Sequence, residues 1–305
     1  MTDWQSKKHP TFPGVVGAAI AIGMAGGARA QFPAETSKSE VERVEALLDD
    51  AFRAIEGIHD YVGILRKKEL FEDALIEQRI AFKFSRPFRV YLRYLEPHPG
   101  REVLYVRGEN KNRLRAHRGS GLDVTVSLNP RGRMAMAEGH HPVTEFGIEH
   151  MLELAARDIR KAVRRRDATL HVSDGGTVSG EPTWRIDLRS PPGGRKVIAR
   201  RNETLWDIAT RTKQDMYVIL HHNEAIDSPG DVRPGQEVFI PHYYVSRGRY
   251  FISKRTHLLI KLVLWDHRGE LYESYEYRKL DLNPGLNERD FDHRDEEYNF
   301  VRHQR

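Results

Sequence analysis

From residue 60 to residue 138 the chain alternates apolar and polar side chains in short runs. Each run closes on a turn signal, and a two-residue period admits few architectures. Ile80, Phe82 and Phe84 share one face of an extended segment, with Arg79, Lys83 and Ser85 on the other. Val90, Leu92 and Tyr94 repeat the pattern between Arg89 and Arg93. Pro97-His98-Pro99-Gly100 makes a turn, and shorter runs follow at 103–106, 114–117, 124–128 and 134–137. Gly108-Glu109-Asn110, Gly119-Ser120-Gly121 and Asn129-Pro130-Arg131-Gly132 separate them. Strands at this spacing pair antiparallel, so the expected core is a meander forming a large curved sheet or barrel. Strand signals resume at 170–172, 184–188, 250–252, 258–265 and 271–278, with His267-Arg268-Gly269-Glu270 as a hairpin turn.

Two helical stretches accompany the strands. Val41, Val44, Leu47, Leu48, Ala51, Phe52 and Ile55 recur at helical spacing behind a capping box of Ser39 and Glu42, and Gly57 ends the helix. A second helix is expected behind Thr144 as cap, with Ile148, Met151, Leu152, Ala155, Ile159 and Val163 on one face. Lys161, Arg164, Arg165 and Arg166 close it at the negative end of its dipole, where a solvated basic cluster needs no ligand. Hydrophobic residues make up only 39% of the chain, but 12 Phe, 12 Tyr and 4 Trp supply enough core to exclude wholesale disorder. The absence of cysteine excludes a disulfide scaffold, a thiolate metal site, a thiol nucleophile and a lipidated cysteine.

The first thirty residues stand apart. Lys7 and Lys8 precede an uncharged run at 15–25 that is too short to span a bilayer, and Ala28 and Ala30 give the A-x-A pattern of a signal peptidase site. Residues 1–30 are therefore expected to be a signal peptide cleaved after Ala30. No later stretch is long and apolar enough for a membrane span, so the mature protein is expected in the periplasm. A formal charge of +5 suits anionic surfaces in general. Export makes nucleic acid an unexpected partner.

Residues 197–241 interrupt the strand pattern with the order strand, helix, helix, strand. Val197-Ile198-Ala199 is a short strand, Thr204 or Asn202 caps a helix carrying Leu205, Ile208 and Ala209, and Met216, Ile219 and Leu220 mark a second helix. Pro229-Gly230 and Pro234-Gly235 form a turn-rich loop before the closing strand Val238-Phe239-Ile240-Pro241. The pieces Val197-Ile198, Thr204-Leu205-Trp206-Asp207-Ile208-Ala209, Asn223 and the run from Asp231 to Pro241 resemble the lysin motif, LysM, a small glycan-binding module. Asn202-Glu203 stands where that family usually has Gly-Asp. The resemblance implies binding of peptidoglycan or another N-acetylglucosamine polymer between two loops. These map to Asn202, Glu203, Thr204 and Leu205, and to Asn223, Ile226, Pro229, Asp231 and Val232. A unit whose two strands pair antiparallel has adjacent ends, so it can replace the tip of a hairpin between the strands at 184–188 and 250–252. Pro191-Pro192-Gly193-Gly194 and Ser246-Arg247-Gly248 are the expected hinges.

The surrounding pieces resemble an uncharacterised bacterial exported family, domain-of-unknown-function family 1571. The resemblance is carried by Asp60-Tyr61-Val62-Gly63, the run from Phe82 to Leu92, Gly100-Arg101-Glu102-Val103-Leu104-Tyr105-Val106, and the run from Leu282 to Phe291. It implies a fold similar to the lipoprotein carriers LolA and LolB, an antiparallel open half-barrel with helices over its mouth. The expected class is thus mainly β with helices (α+β), interrupted by a small βααβ module. Residues 31–192 and 246–305 would form the half-barrel and 193–245 the module. A half-barrel's concave face is too wide for its own side chains to fill. Phe82, Phe84, Val90, Leu92 and Tyr94 are candidates to line a cavity for a lipid or a lipoprotein acyl chain.

Catalysis is not expected. Glu69, Glu72, Glu77, Glu138 and Glu145 offer carboxylates and His140, His141 and His150 offer imidazoles, but none has the spacing of a known hydrolase or metal motif. Adjacent histidines in a strand point to opposite faces, which makes His140 and His141 poor co-ligands. His221 and His222 fall within the module and are expected at its surface. No metal and no cofactor are expected. The expected function is a non-enzymatic envelope protein that binds peptidoglycan and holds an acyl chain. The alternatives are a peptidoglycan-active enzyme and a structural envelope interaction protein.

Overall fold

The computed structural model describes residues 36–71, 74–120 and 124–300. The expected signal peptide, its cleavage after Ala30, and Glu72 lie outside the described residues. The chain opens with α1 (Lys38–Glu56), whose cap is Ser37 rather than Ser39. The Ser37 hydroxyl accepts from the Glu40 backbone N–H at 3.2 Å, and Ser39 lies inside the first turn. Val44, Leu48, Ala51 and Ile55 form the buried stripe, and Gly57 ends the helix.

Six strands follow: β1 (Asp60–Phe71), β2 (Ala74–Ser85), β3 (Arg89–Glu96), β4 (Glu102–Val106), β5 (Leu114–His117) and β6 (Thr125–Leu128). The run at 134–137 is not a strand. Ala135 and Met136 both donate to the Gly132 carbonyl, so the backbone winds into turns there. A short turn, Val143–Glu145, precedes α2 (Ile148–Arg165), which starts behind Gly147 instead of Thr144. Gly147 has φ 123°, and a Cβ there would lie 2.6 Å from the Tyr61 hydroxyl oxygen. That oxygen accepts from the Ile148 N–H at 3.0 Å, so the buried tyrosine takes the place of a capping side chain.

The chain continues through β7 (Thr169–Val178), β8 (Glu181–Arg189) and β9 (Gly194–Ile198), then α3 (Leu205–Thr212) and α4 (Met216–His221). It ends with β10 (Glu237–Pro241), β11 (Arg247–Ser253), β12 (Leu259–Trp265) and β13 (Leu271–Leu282). Eleven strands make one antiparallel sheet in the order β6-β5-β4-β3-β2-β1-β13-β12-β11-β8-β7. The sheet is open, with β6 and β7 as its edges. One face carries the main core, in which α1 and α2 pack against each other and against the strands. On the other face Phe291, Tyr298 and Phe300 pack against Tyr91 and Leu104 of β3 and β4.

Residues 194–241 form a βααβ unit. β9 and β10 pair antiparallel as a separate two-stranded sheet, and Leu205, Ile208, Ile219 and Val238 sit in a core of their own. β8 and β11, on either side of the unit in sequence, are paired neighbours in the large sheet. The connections are not hinges. Arg247 and Gly248 are inside β11, Gly194 is inside β9, and Ser190 donates to the Ser246 carbonyl at 2.9 Å. The unit is also docked, because Val218 of α4 belongs to the main core and His221 bonds Asp266 at 2.8 Å. His221 is accordingly a partly buried contact and not a free surface residue.

Candidate functional site

The strand register decides which side chains meet on the concave face. Tyr61 lies opposite Phe84, Leu65 opposite Ile80, and Lys67 opposite Gln78, so the odd residues of β1 face inward. On its other side β1 sets Leu65 against Tyr277, Lys67 against Tyr275 and Glu69 against Glu273. The inward row therefore begins aromatic, becomes aliphatic and ends in opposed carboxylates.

Between β1–β6, β13 and the 134–147 segment lies a cavity of about 640 Å³. Leu65, Leu92, Val103, Leu114, Phe146 and Met151 are among its apolar walls. Five large hydrophobic residues are exposed among the described residues, and three of them, Val124, Val126 and Met134, lie at this cavity. Met134 is 71% exposed. An apolar hollow with an apolar rim departs from the usual burial of such side chains.

The five residues expected to line a cavity divide. Leu92 and Tyr94 line it. Phe82, Phe84 and Val90 are packed core instead. Phe82 meets Phe146 at a ring separation of 5.3 Å, and Phe84 stacks on Tyr61 at 4.8 Å. The segment leading into α2 thus fills one half of the concave face and leaves the other half open.

The end of the cavity is polar. Lys67, Glu69, Glu138, His141 and Glu145 line it, and Glu69 is fully buried. Glu69 takes the Lys67 ammonium at 3.1 Å, the His140 backbone N–H at 2.9 Å and the Tyr275 hydroxyl. Glu273, also fully buried, gathers His140 Nδ1 at 2.9 Å, the Tyr244 hydroxyl at 2.5 Å and His141 Nε2 at 3.4 Å on a single oxygen. Burial opposes ionisation of Glu273, but the two imidazoles outweigh it and hold its carboxyl below the usual range. Burial likewise opposes the charges of Lys67 and His141, yet neighbouring carboxylates win and push both upward. A Cβ on Gly139 would sit 2.7 Å from Lys67 Nζ and 2.9 Å from Glu69 Oε2, so a side chain there would push the ends of this ion pair aside.

His140 and His141 therefore converge on one carboxylate. The expectation that they diverge assumed a strand, whereas residues 139–142 form an irregular segment. Reasoning on the sequence named Glu69 only as one of several carboxylates without a motif, and it missed Lys67 and Glu273. Both alternation phases of β1 contain charges, so the pattern did not mark an inward face. The signal that was available is the cross-strand placement of Glu69 and Glu273, which follows once the β1–β13 pairing is known.

In the βααβ unit the two loops expected to hold glycan do meet, since Leu205 N–H donates to the Pro229 carbonyl at 2.9 Å. Their side chains are largely committed to the fold. Leu205 and Ile226 are core, and Val232 packs against it. Thr204 and Asp207 form a capping box. Glu203 pairs with Arg211 at 2.7 Å. Asn223 donates to the carbonyls of Ile219 at 2.6 Å and Phe239 at 2.9 Å and accepts from the Phe239 N–H at 2.8 Å. Asn202 is exposed with φ 61°, and Asp231 is exposed and accepts from the Ser228 hydroxyl at 2.6 Å.

The site is thus an apolar hollow with a polar end wall on one face of an open antiparallel sheet. The chain belongs to the family described as protein of unknown function DUF1571, whose model matches residues 58–220 and 237–300. That match runs through β9, α3 and most of α4 and resumes at β10. No curated protein matches the chain in sequence. Among solved structures it is similar to the lipoprotein LppX of Mycobacterium tuberculosis, at 14% identity and TM-score 0.38 over 80% of this chain and 98% of that one. It is similar to LprF of Mycobacterium bovis, at 11% identity and TM-score 0.37 over 83% and 97%. A DUF1329 family protein of Desulfovibrio piger gives 10% identity and TM-score 0.33 over 82% and 97%. No helix among the described residues is long and apolar enough to cross a membrane.

Proposed function

We propose that this chain is a non-enzymatic, exported cell-envelope protein that holds one hydrophobic chain, a lipid or a lipoprotein acyl chain, on an open sheet of LolA/LolB type. The observation that carries this reading is the cavity of about 640 Å³ with its exposed rim of Val124, Val126 and Met134. At about 30 Å³ per water-sized group it has room for roughly twenty, the scale of one long acyl chain. The polar end wall, where Lys67, Glu69, Glu138, His141 and Glu145 gather beside the apolar walls, suits the head of an amphiphile. The test is native mass spectrometry after gentle extraction from a membrane-bearing host. One bound acyl lipid per chain supports the reading. A chain that emerges empty and stays empty when fatty acid is supplied refutes it.

A second reading concerns the βααβ unit as a LysM-type binder of peptidoglycan or another N-acetylglucosamine polymer. The contact of its two loops through Leu205 and Pro229 favours it. In this reading residues 31–192 and 246–305 form the lipid-holding domain and 193–245 the glycan-binding one. Backbone groups of these loops, with exposed Asn202 and Asp231, would meet the sugar, because the remaining side chains are occupied. Pull-down of the full chain with insoluble peptidoglycan decides it. Retention that falls on changing Asn202 and Asp231 to alanine supports it, and no retention of the parent chain removes it.

A further inference from the structure

Three groups of histidine and carboxylate side chains place their ligating atoms within 4.8 Å of one another among the described residues. Two are already committed. In Glu69–His140–Glu273 both Glu69 oxygens and one Glu273 oxygen hold donors, and all three side chains are buried in the ionic wall described above. In His221–Asp266–His267 the Asp266 carboxylate accepts the backbone N–H groups of Arg268 and Glu270, which makes it the closure of a hairpin turn.

The third group, His141–Glu145–His150, is different. His141 Nδ1 is buried and has no hydrogen-bond partner. It lies 3.6 Å from Glu145 Oε2, and His150 Nε2 lies 3.7 Å from the same oxygen. Arg131 stands 3.6 Å from the other Glu145 oxygen, Oε1, which leaves Oε2 to face the two imidazoles. The far nitrogen of His141, Nε2, is 3.4 Å from the buried Glu273 carboxylate and 3.2 Å from the Tyr244 hydroxyl. A carboxylate behind one ring nitrogen fixes the tautomer and turns the lone pair of the other outward, the arrangement found behind metal-bound histidines.

We propose that His141, Glu145 and His150 form a binding site for one divalent metal ion of the zinc class, with Glu273 as the positioning residue behind His141. Two imidazoles and one carboxylate are a borderline donor set suited to zinc, and three protein ligands leave a fourth position for water or another small ligand. Ligand atoms around tetrahedral zinc at its usual bond lengths stand about 3.3 Å apart, so both Glu145 edges are within a few tenths of an ångström of fitting. The third edge closes by a modest turn of His150, which is only partly buried. Glu145 lines both the apolar cavity and a second hollow shared with Trp206 and Met216 of the βααβ unit, so an ion there sits at the wall between them. The site stands on its own geometry, whatever fills the cavity.

The test is titration of the purified full chain, first freed of metal by chelation, with Co2+ and then Zn2+. The expected result is one Co2+ per chain with the visible absorption of a four-coordinate site, displaced by one equivalent of Zn2+. His150→Ala and Glu145→Gln each weaken binding at least tenfold, while His267→Ala leaves it unchanged. Metal-free thermal unfolding of each variant confirms that it folds. Absence of a saturable Co2+ spectrum in the parent chain overturns the proposal and leaves the group an ionic network only. So does equal binding by the His150 and Glu145 variants.

Discussion

Ala116 lies on β5 with its side chain toward the cavity, between Val103 of β4 and Val126 of β6. Replacing it by tryptophan places an indole in the hollow without cutting into the packed half of the sheet. The substitution adds roughly 140 Å³, the space of between four and five groups at about 30 Å³ each. Each methylene displaced from an apolar site forgoes about 0.8 kcal/mol. The hollow then holds between about sixteen and seventeen groups instead of roughly twenty. A twenty-carbon saturated acyl chain loses about three to four of its groups, a cost of about 3 kcal/mol, or roughly a hundredfold in affinity. The assay is displacement of a fluorescent fatty-acid analogue by the twenty-carbon saturated fatty acid, with Ala225→Trp in an exposed loop of the βααβ unit as control. The expected outcome is weakened binding of that acid in Ala116→Trp alone, at unchanged thermal stability. Equal affinity in Ala116→Trp and the parent chain would refute the reasoning, because the acyl chain would then lie elsewhere.

Three further outcomes follow from the packing. Tyr61→Phe leaves the Ile148 N–H buried without its acceptor and is expected to lower stability by about 1–3 kcal/mol in a denaturant titration; no change would show that water replaces the hydroxyl. Asp158 is buried, its carboxyl is pushed up to about 6 by desolvation against the pull of Lys161 and two backbone donors, and its unfolded value is near 4. The folded state therefore takes up the proton more readily, and this group adds stability as pH falls from about 7 to about 4. Asp158→Asn keeps an acceptor for the Tyr244 N–H and is expected to be more stable than the parent at pH 7.5, by up to about 3 kcal/mol, with the difference shrinking toward pH 4; a pH-independent loss of stability would contradict this. Leu205→Ala opens the core of the βααβ unit at a cost of about 2–5 kcal/mol. Because Val218 ties the unit to the main core, its calorimetric transition should remain single; a separate early transition for the unit would show that the docking is weak.

Strand alternation was readable because period two survives in single residues. The run 258–265 with its His267-Arg268-Gly269-Glu270 turn is the β12–β13 hairpin, and Gly57 closes α1. The strand pair interrupted by the βααβ unit was readable from the spacing of 184–188 and 250–252. Helix starts were less so. Ser37 and Ser39 are both competent caps, and Gly147 is set by a tyrosine 86 residues earlier in the chain, which no local pattern records. The site was legible only by half. Alternation says that Phe82, Phe84, Val90, Leu92 and Tyr94 share a face, but whether a residue lines a hollow or a core depends on what packs above it. Phe146 covers Phe82 and leaves Leu92 open. The ionic wall was hidden because Lys67 and Glu69 look like solvent-facing residues until Glu273 and the two histidines are brought to them.

The central claim, that an acyl chain occupies the hollow under the 134–147 segment, is tested most directly by methyl NMR of the full chain during titration with palmitate. Shifts confined to methyls that line the hollow, among them Leu65, Leu92, Val103, Leu114, Val126 and Met151, and saturating at one equivalent, are the predicted result. Perturbation only at Leu75 and Ile198, the exposed apolar residues away from the hollow, or none at all, would contradict the account.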